Sequence, residues 1–141
     1  MSSRNCVYLW RIISCIAIFI TSVSTASAAG DAAKGAAIFR QCQLCHSGEK
    51  GVNKEGPSLY GVIGRPAGNI ADYAYSDAIK AAAAKGLIWS SDTVVKYLAN
   101  PHRFFVDYLG DPSTRNKMAF MLANEQDRED VVAYLQSLPA N

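Results

Sequence analysis

The sequence predicts an all-α fold of four to five helices joined by long loops. Three observations carry this. Apolar residues recur at helical spacing behind polar caps in several stretches, and no strand run or internal repeat is convincing. Residues 47–75 are dense in glycine and proline, which marks an extended irregular segment. Between the first helical stretch and that segment lies Cys42-Gln43-Leu44-Cys45-His46, a Cys-x-x-Cys-His motif that is the attachment signature of a c-type haem. Each cysteine adds across one haem vinyl group to form a thioether, and the histidine beside the second bond is held under the iron as an axial ligand. The helices are therefore expected to pack around one covalently bound haem, with the loops wrapping it.

In chain order, residues 1–28 read as a secretory signal peptide that is cleaved. Arg4 and Arg11 supply positive charge, Ile12 to Val23 form a short apolar run, and Ala26-Ser27-Ala28 is a small-residue cleavage site. The run is too short and too rich in serine and threonine to span a bilayer, which takes about 20 apolar residues. The competing reading is an uncleaved anchor. Cleavage removes Cys6 and Cys15 and leaves Cys42 and Cys45, both used by haem, so no structural disulfide is expected. It also removes Arg4 and Arg11, which account for the formal excess of 14 basic over 12 acidic residues. The remaining chain, residues 29–141, is a single near-neutral domain whose composition gives no support for nucleic-acid binding.

Asp31 caps a first helix over Ala32 to Gln41, with Ile38 and Phe39 on its apolar side. Gly35 in its interior costs about 1 kcal/mol relative to alanine, a cost that close approach of another helix would explain. Residues 47–75 form a loop, and a compact domain rarely carries so long an irregular stretch without function. Ser76 caps a helix over Asp77 to Lys85, which Gly86 stops. Ser90 caps another over Ser91 to Ala99, with Asp92 in its positive first turn and Asn100-Pro101 ending it. Phe104, Phe105, Tyr108 and Leu109 pair at i, i+4, which gives a short helix before Gly110-Asp111-Pro112. Asn124 caps the last helix, Glu125 to about Ser137, whose early Glu125, Asp127, Glu129 and Asp130 suit the helix dipole.

Other readings of the cysteine motif are poorer. A thioredoxin-like pair wants a surrounding βαβ pattern. A zinc site wants four ligands, and Cys42, Cys45, His46 and His102 stand in no zinc-finger spacing. For the second face of the haem, a methionine opposite histidine suits electron transfer and raises the potential. Outside the leader the chain offers Met118 and Met121, with His102 as a third candidate, and spacing alone does not separate them. Either methionine also suits a core gap-filler.

Beyond the haem motif, the chain carries Gly35-Ala36-Ala37-Ile38-Phe39, Gly56-Pro57-Ser58-Leu59-Tyr60-Gly61, Ile63-Gly64-Arg65, Tyr75-Ser76-Asp77-Ala78, Trp89, Tyr97-Leu98-Ala99-Asn100-Pro101, Lys117-Met118-Ala119-Phe120 and Arg128-Glu129-Asp130-Val131-Val132-Ala133-Tyr134-Leu135. In order and approximate spacing these resemble class I cytochrome c along nearly the whole chain after the leader. The resemblance implies the cytochrome c fold, with His46 and Met118 as axial iron ligands and Cys42 and Cys45 in thioether bonds. It implies that the Pro57 carbonyl accepts a hydrogen bond from His46. It implies that Arg65, Tyr75, Trp89 and Asn116 serve the propionates, that Tyr97 approaches the Met118 sulfur, and that Phe120 covers the haem edge. Gly35 and Phe39 are implied to meet Tyr134 where the first and last helices cross.

Between Pro101 and Met118 the chain is longer than the mitochondrial pattern, through residues 106–115, and so resembles bacterial proteins of the cytochrome c-two type. The family's lysine ring is thin, with Lys34, Lys50, Lys54, Lys96 and Lys117 as candidates. The implied function is a soluble, monomeric periplasmic one-electron carrier, not an enzyme. Its implied partners are a membrane cytochrome bc complex, a terminal oxidase or a photosynthetic reaction centre, or a periplasmic dehydrogenase, met through a small, transient interface. The alternatives are a haem enzyme or gas sensor with an open or labile sixth position, for which no acid–base constellation is evident, and a membrane-tethered carrier.

Overall fold

The computed structural model describes residues 30–138, so the signal-peptide reading of residues 1–28 lies outside the described residues. Among the described residues five helices form in chain order: α1 (Ala32–Cys42), α2 (Asp77–Ala84), α3 (Ser91–Ala99), α4 (Pro101–Leu109) and α5 (Glu125–Ser137). Among the described residues there is no strand, only one isolated antiparallel bridge between Pro66 and Ile88.

Each helix starts at a side chain that satisfies its orphan N–H groups. The Asp31 carboxylate accepts from the amides of Ala33 and Lys34 at 2.9 and 3.2 Å. Ser76 accepts from Ile79 N, Ser90 from Thr93 N and Asn124 from Asp127 N. The short helix predicted around Phe104 begins earlier than its pairing pattern implies. Asn100, the last residue of α3's C-terminal cap, also caps α4 by accepting from Arg103 N at 2.9 Å, and Pro101 occupies the first turn. Proline there gives up an N–H that has no helical partner anyway, so one Asn-Pro step ends one helix and starts the next. Residues 106–109 thus lengthen α4, and Gly110, left-handed at φ +74°, stops it. The α2 terminus is a Schellman motif: Leu87 N donates to Ala82 O at 3.0 Å and Gly86 N to Ala83 O at 2.9 Å.

The α1 and α5 helices pack on each other more extensively than any other pair. A Cβ at Gly35 would overlap the backbone of Asp130 and stand 2.9 Å from Tyr134 Cβ. The bare glycine therefore permits the crossing, and Phe39 and Tyr134 meet beside it with ring centroids 4.9 Å apart. The buried Asp130 carboxylate accepts from Asp31 N at 2.7 Å and from the Gln126 amide at 3.0 Å, tying α5 to the start of α1. A second core is aromatic: Trp89, Tyr97, Phe104 and Phe105 pack mutually at centroid distances of 5.0 to 6.4 Å.

The irregular segment 47–75 is held by particular hydrogen bonds. Leu59 N donates to Ser47 O, Gly64 N to Trp89 O, Ala67 N to Leu87 O and Trp89 N to Arg65 O, at 2.8 to 2.9 Å. The buried Ser58 donates its hydroxyl to Glu49 O at 2.6 Å and its backbone N–H to Asn53 Oδ1 at 2.9 Å. These bonds satisfy a backbone that has no ladder of its own, and they fix the segment against the turn before α3.

Candidate haem-binding site

Between α1, the 47–75 segment, α3 and the strap before α5 lies a cavity of about 490 Å³. That size falls in the ordinary range of buried ligand sites, about 300–1,000 Å³. All the site residues named from the sequence line it: Cys42, Cys45, His46, Pro57, Arg65, Tyr75, Trp89, Tyr97, Asn116, Met118 and Phe120. Leu59, Val62, Val94, Leu98, Val131 and Leu135 complete a mostly apolar wall.

The haem motif forms as α1 ends. The Cys42 carbonyl accepts from both Cys45 N and His46 N, at 3.1 and 2.9 Å, so the chain turns within the motif and brings both thiols and the imidazole to one wall. Neither motif cysteine is in a disulfide. Burial pushes the Cys42 thiol up, against a smaller opposing effect from its own backbone hydrogen bond.

His46 is placed by two neighbours. Its Nδ1 lies 2.7 Å from Pro57 O. A carbonyl only accepts, so Nδ1 carries the proton and Nε2 keeps a free lone pair. On the other side Gly56 lies flat against the ring, where a Cβ would overlap Cε1 and fall 2.7 Å from Nε2. Burial lowers the imidazole pKa, outweighing the Pro57 bond that raises it, and Lys54 lowers it further. A neutral, tautomer-fixed imidazole is the form that binds a metal.

The methionines separate by position. Met118 is half-buried and lines the cavity, with its amide donating to Asn116 Oδ1 at 2.7 Å. Met121 is 56% exposed and, like His102, is absent from the wall. The strap that carries Met118 is fastened at both ends. Lys117 Nζ donates to Ala74 O at 2.7 Å across the mouth, while Leu122 N donates to Leu98 O at 2.8 Å. The buried Arg128 holds the carbonyls of Leu122 and Ala123 from below, at 2.8 and 2.7 Å.

The polar residues expected at the propionates also line the cavity. Arg65 is held by the carbonyls of Tyr60 and Ser58, at 3.0 and 2.8 Å, and burial lowers its pKa. Tyr75 accepts from Ile70 N, and burial, with a lesser push from Tyr73, raises the Tyr97 phenol so far that it stays protonated. Sequence reasoning missed Tyr73, which lines the cavity, packs edge-on to Tyr75 at 4.7 Å and donates to Glu55 O. Its only sequence signal is the i, i+2 aromatic pair in an extended segment.

The candidate ring lysines stand in different surroundings. Of the five candidates only Lys117 lines the cavity. Lys54 donates to Gln43 O, Lys34 pairs with Asp31 at 3.9 Å, and Lys96 stands in a separate groove. No helix among the described residues is long and apolar enough to cross a membrane.

Two thiols, a tautomer-fixed imidazole and a thioether around one apolar cavity fit a covalently held haem. Comparison with known proteins agrees. The cytochrome c family model matches residues 32–139. A cytochrome c2 of Rhodopseudomonas palustris is 48% identical over 114 residues, covering 77% of this chain and 98% of the relative. Cytochrome c-550 of Novispirillum itersonii is 44% identical over 110 residues, covering 77% and 99%. The solved cytochrome c2 of Rhodobacter sphaeroides superposes with a TM-score of 0.74 at 40% identity, over 79% of this chain and 98% of that one. The chain belongs to the cytochrome c family, electron-transport proteins that carry one covalently attached haem c.

Proposed function

We propose that this protein is a soluble periplasmic one-electron carrier, not an enzyme, with Cys42 and Cys45 as the thioether residues and His46 and Met118 as axial ligands of the haem iron. The observation that carries the ligand pair is the contrast within the cavity: the Nδ1-anchored His46 and Met118 share its wall, while Met121 and His102 stand outside. When bound, the haem supplies a ferric/ferrous couple. The chain's own residues keep that couple from changing shape. Pro57 fixes the His46 tautomer, and the anchors at Lys117, Leu122 and Arg128 hold the Met118 strap closed. Such fixed ligands keep reorganisation small, which is what a carrier needs. Arg65, Tyr75, Trp89 and Asn116 would meet the propionates, where a buried carboxylate without partners is costly. Tyr97 would reach the Met118 sulfur, and Phe120 would shield the exposed edge.

Residues 1–28 would direct the chain across the inner membrane and be removed. In the periplasm it would shuttle between a cytochrome bc complex and a terminal oxidase or reaction centre, or take electrons from a periplasmic dehydrogenase. The relatives named cytochrome c2 support this assignment.

The test is the absorption spectrum of the purified ferric and ferrous holoprotein, with N-terminal sequencing of periplasmic material. We expect a low-spin haem that stays with the denatured chain, a far-red methionine–ferric band, and an N-terminus just after Ala28 or Ala29. Met118→Ala should abolish the band and Met121→Ala should leave it. A high-spin wild-type spectrum, or loss of the band in Met121→Ala alone, would overturn the ligand assignment and favour an enzyme or sensor with an open iron.

A further inference from the structure

The outer side of α3 and α4 carries a second concavity of about 440 Å³ that shares no lining residue with the haem cavity. The half-buried Ala99, Phe104 and Tyr108 form its floor, and the exposed Lys96, Asn100, Arg103 and Asp107 form its rim. Phe104 and Tyr108, one turn apart on α4, hold their rings nearly parallel, 12° between planes and 5.9 Å between centroids. Phe104 is also packed against Trp89, Tyr97 and Phe105 at 6.0, 5.6 and 5.4 Å. The aromatic floor is therefore fixed by the core and is not assembled on binding, which lowers the ordering cost of a guest.

The rim decides what charge that guest carries. Its single carboxylate is already engaged, because Arg103 Nε donates to Asp107 Oδ2 at 2.8 Å. That bond fixes the guanidinium while its terminal nitrogens make no hydrogen bond among the described residues, and the Lys96 ammonium likewise makes none. Asn100 spends its carbonyl oxygen on Arg103 N, which leaves its NH₂ group as a further donor. Two cations, one of them paired with the rim's carboxylate, and an amide donor stand over the aromatic floor, which leaves the rim one net positive charge. A planar ring is attracted by the floor and by the cations, and an attached sulfonate, carboxylate or phosphate by the guanidinium fork.

We propose that this α3/α4 groove is a second ligand site, apart from the haem, that takes a small planar aromatic anion. The site needs nothing of the iron ligand assignment, so it stands or falls separately from it.

The test is an amide chemical-shift titration of ¹⁵N-labelled ferrous holoprotein with 2-naphthalenesulfonate, with methanesulfonate and 2-naphthol as the charge-only and ring-only controls. We expect saturable shifts centred on Lys96, Asn100, Arg103, Phe104 and Tyr108, tighter than with either control. Lys96→Gln and Arg103→Gln should each weaken binding roughly two- to fivefold, the size of one exposed charge contact. Tyr108→Leu should weaken it as well, with the haem spectrum unchanged in all three variants. Shifts centred on the haem cavity at Leu44, Lys117 and Phe120, equal binding of methanesulfonate, absence of a saturable shift, or affinity untouched by both charge variants would each overturn the proposal.

Discussion

Gly56 and Pro57 act on His46 from two sides, and neither does so through a side-chain functional group. Pro57 offers its carbonyl and Gly56 offers the lack of a Cβ. Gly56→Ala is therefore expected to push the imidazole off the Pro57 carbonyl or to shift the turn itself. The cost belongs with overpacking, about 1–3 kcal/mol. It should appear as a lower guanidinium chloride midpoint of the holoprotein at unchanged slope, with the His46 ring resonances displaced. A midpoint equal to wild type would mean that the turn yields freely. At this scale the sequence was legible where chemistry is local. Cys42, Cys45 and His46 are adjacent residues whose meaning lies in their spacing. Met118 was not separable from Met121 by residue type or spacing, because exposure and cavity lining are set by how the strap is fastened at Ala74, Leu98 and Arg128. Only the family resemblance pointed to it.

At the scale of elements, caps were the readable feature. Asp31, Ser76, Ser90 and Asn124 each sit where their side chains accept from the helix they precede, a short-range geometry that residue type reveals. The start of α4 was obscured for a physical reason: Asn-Pro both ends and begins helices, and only the backbone at Asn100 shows that it does both. The early acidic residues of α5 were legible as dipole partners, but Asp130 does more than that and Arg128 has a role that the dipole reading did not cover. Asp130 holds the start of α1 and Arg128 holds the Met118 strap, roles that depend on chain segments distant in sequence. The α1/α5 crossing turns on Gly35, whose Cβ would overlap backbone and not a flexible side chain. Alanine there gains about 1 kcal/mol of helix propensity but must separate the two helices. Gly35→Ala is expected to lower holoprotein stability by about 1–3 kcal/mol or more. Thermal unfolding followed by circular dichroism measures it. A raised melting temperature would show that propensity outweighs the crossing.

For the whole molecule, the same crossing sets the response to acid. The Cys-x-x-Cys-His motif begins at the end of α1, and α1 is held to α5 at its N-terminus by one carboxylate. The Asp31 N–H, and after it the Gln126 amide, hold the Asp130 carboxyl below the ordinary aspartate range, with burial opposing and Lys34 adding a smaller pull. Because the folded state keeps this group ionised where the unfolded chain, with an aspartate pKa of about 3.9, takes up a proton, the folded state loses relative stability as that proton binds. The contribution is complete above the ordinary aspartate range. It drains away as pH falls through that range to the lowered folded value. Asp111 is lowered too, by the Ser113 hydroxyl and then its amide, but it sits on the exposed loop after α4 and ties no helices together. Asp130→Asn keeps an oxygen that can accept from Asp31 N but has no proton to take up. Its stability should therefore fall less steeply than wild type between about pH 5 and pH 3, although it starts lower at neutral pH because a charged acceptor is the stronger one. Guanidinium chloride unfolding of both holoproteins at a series of pH values measures the two slopes. Parallel curves would show that the α1/α5 junction does not titrate and that acid acts elsewhere in the fold.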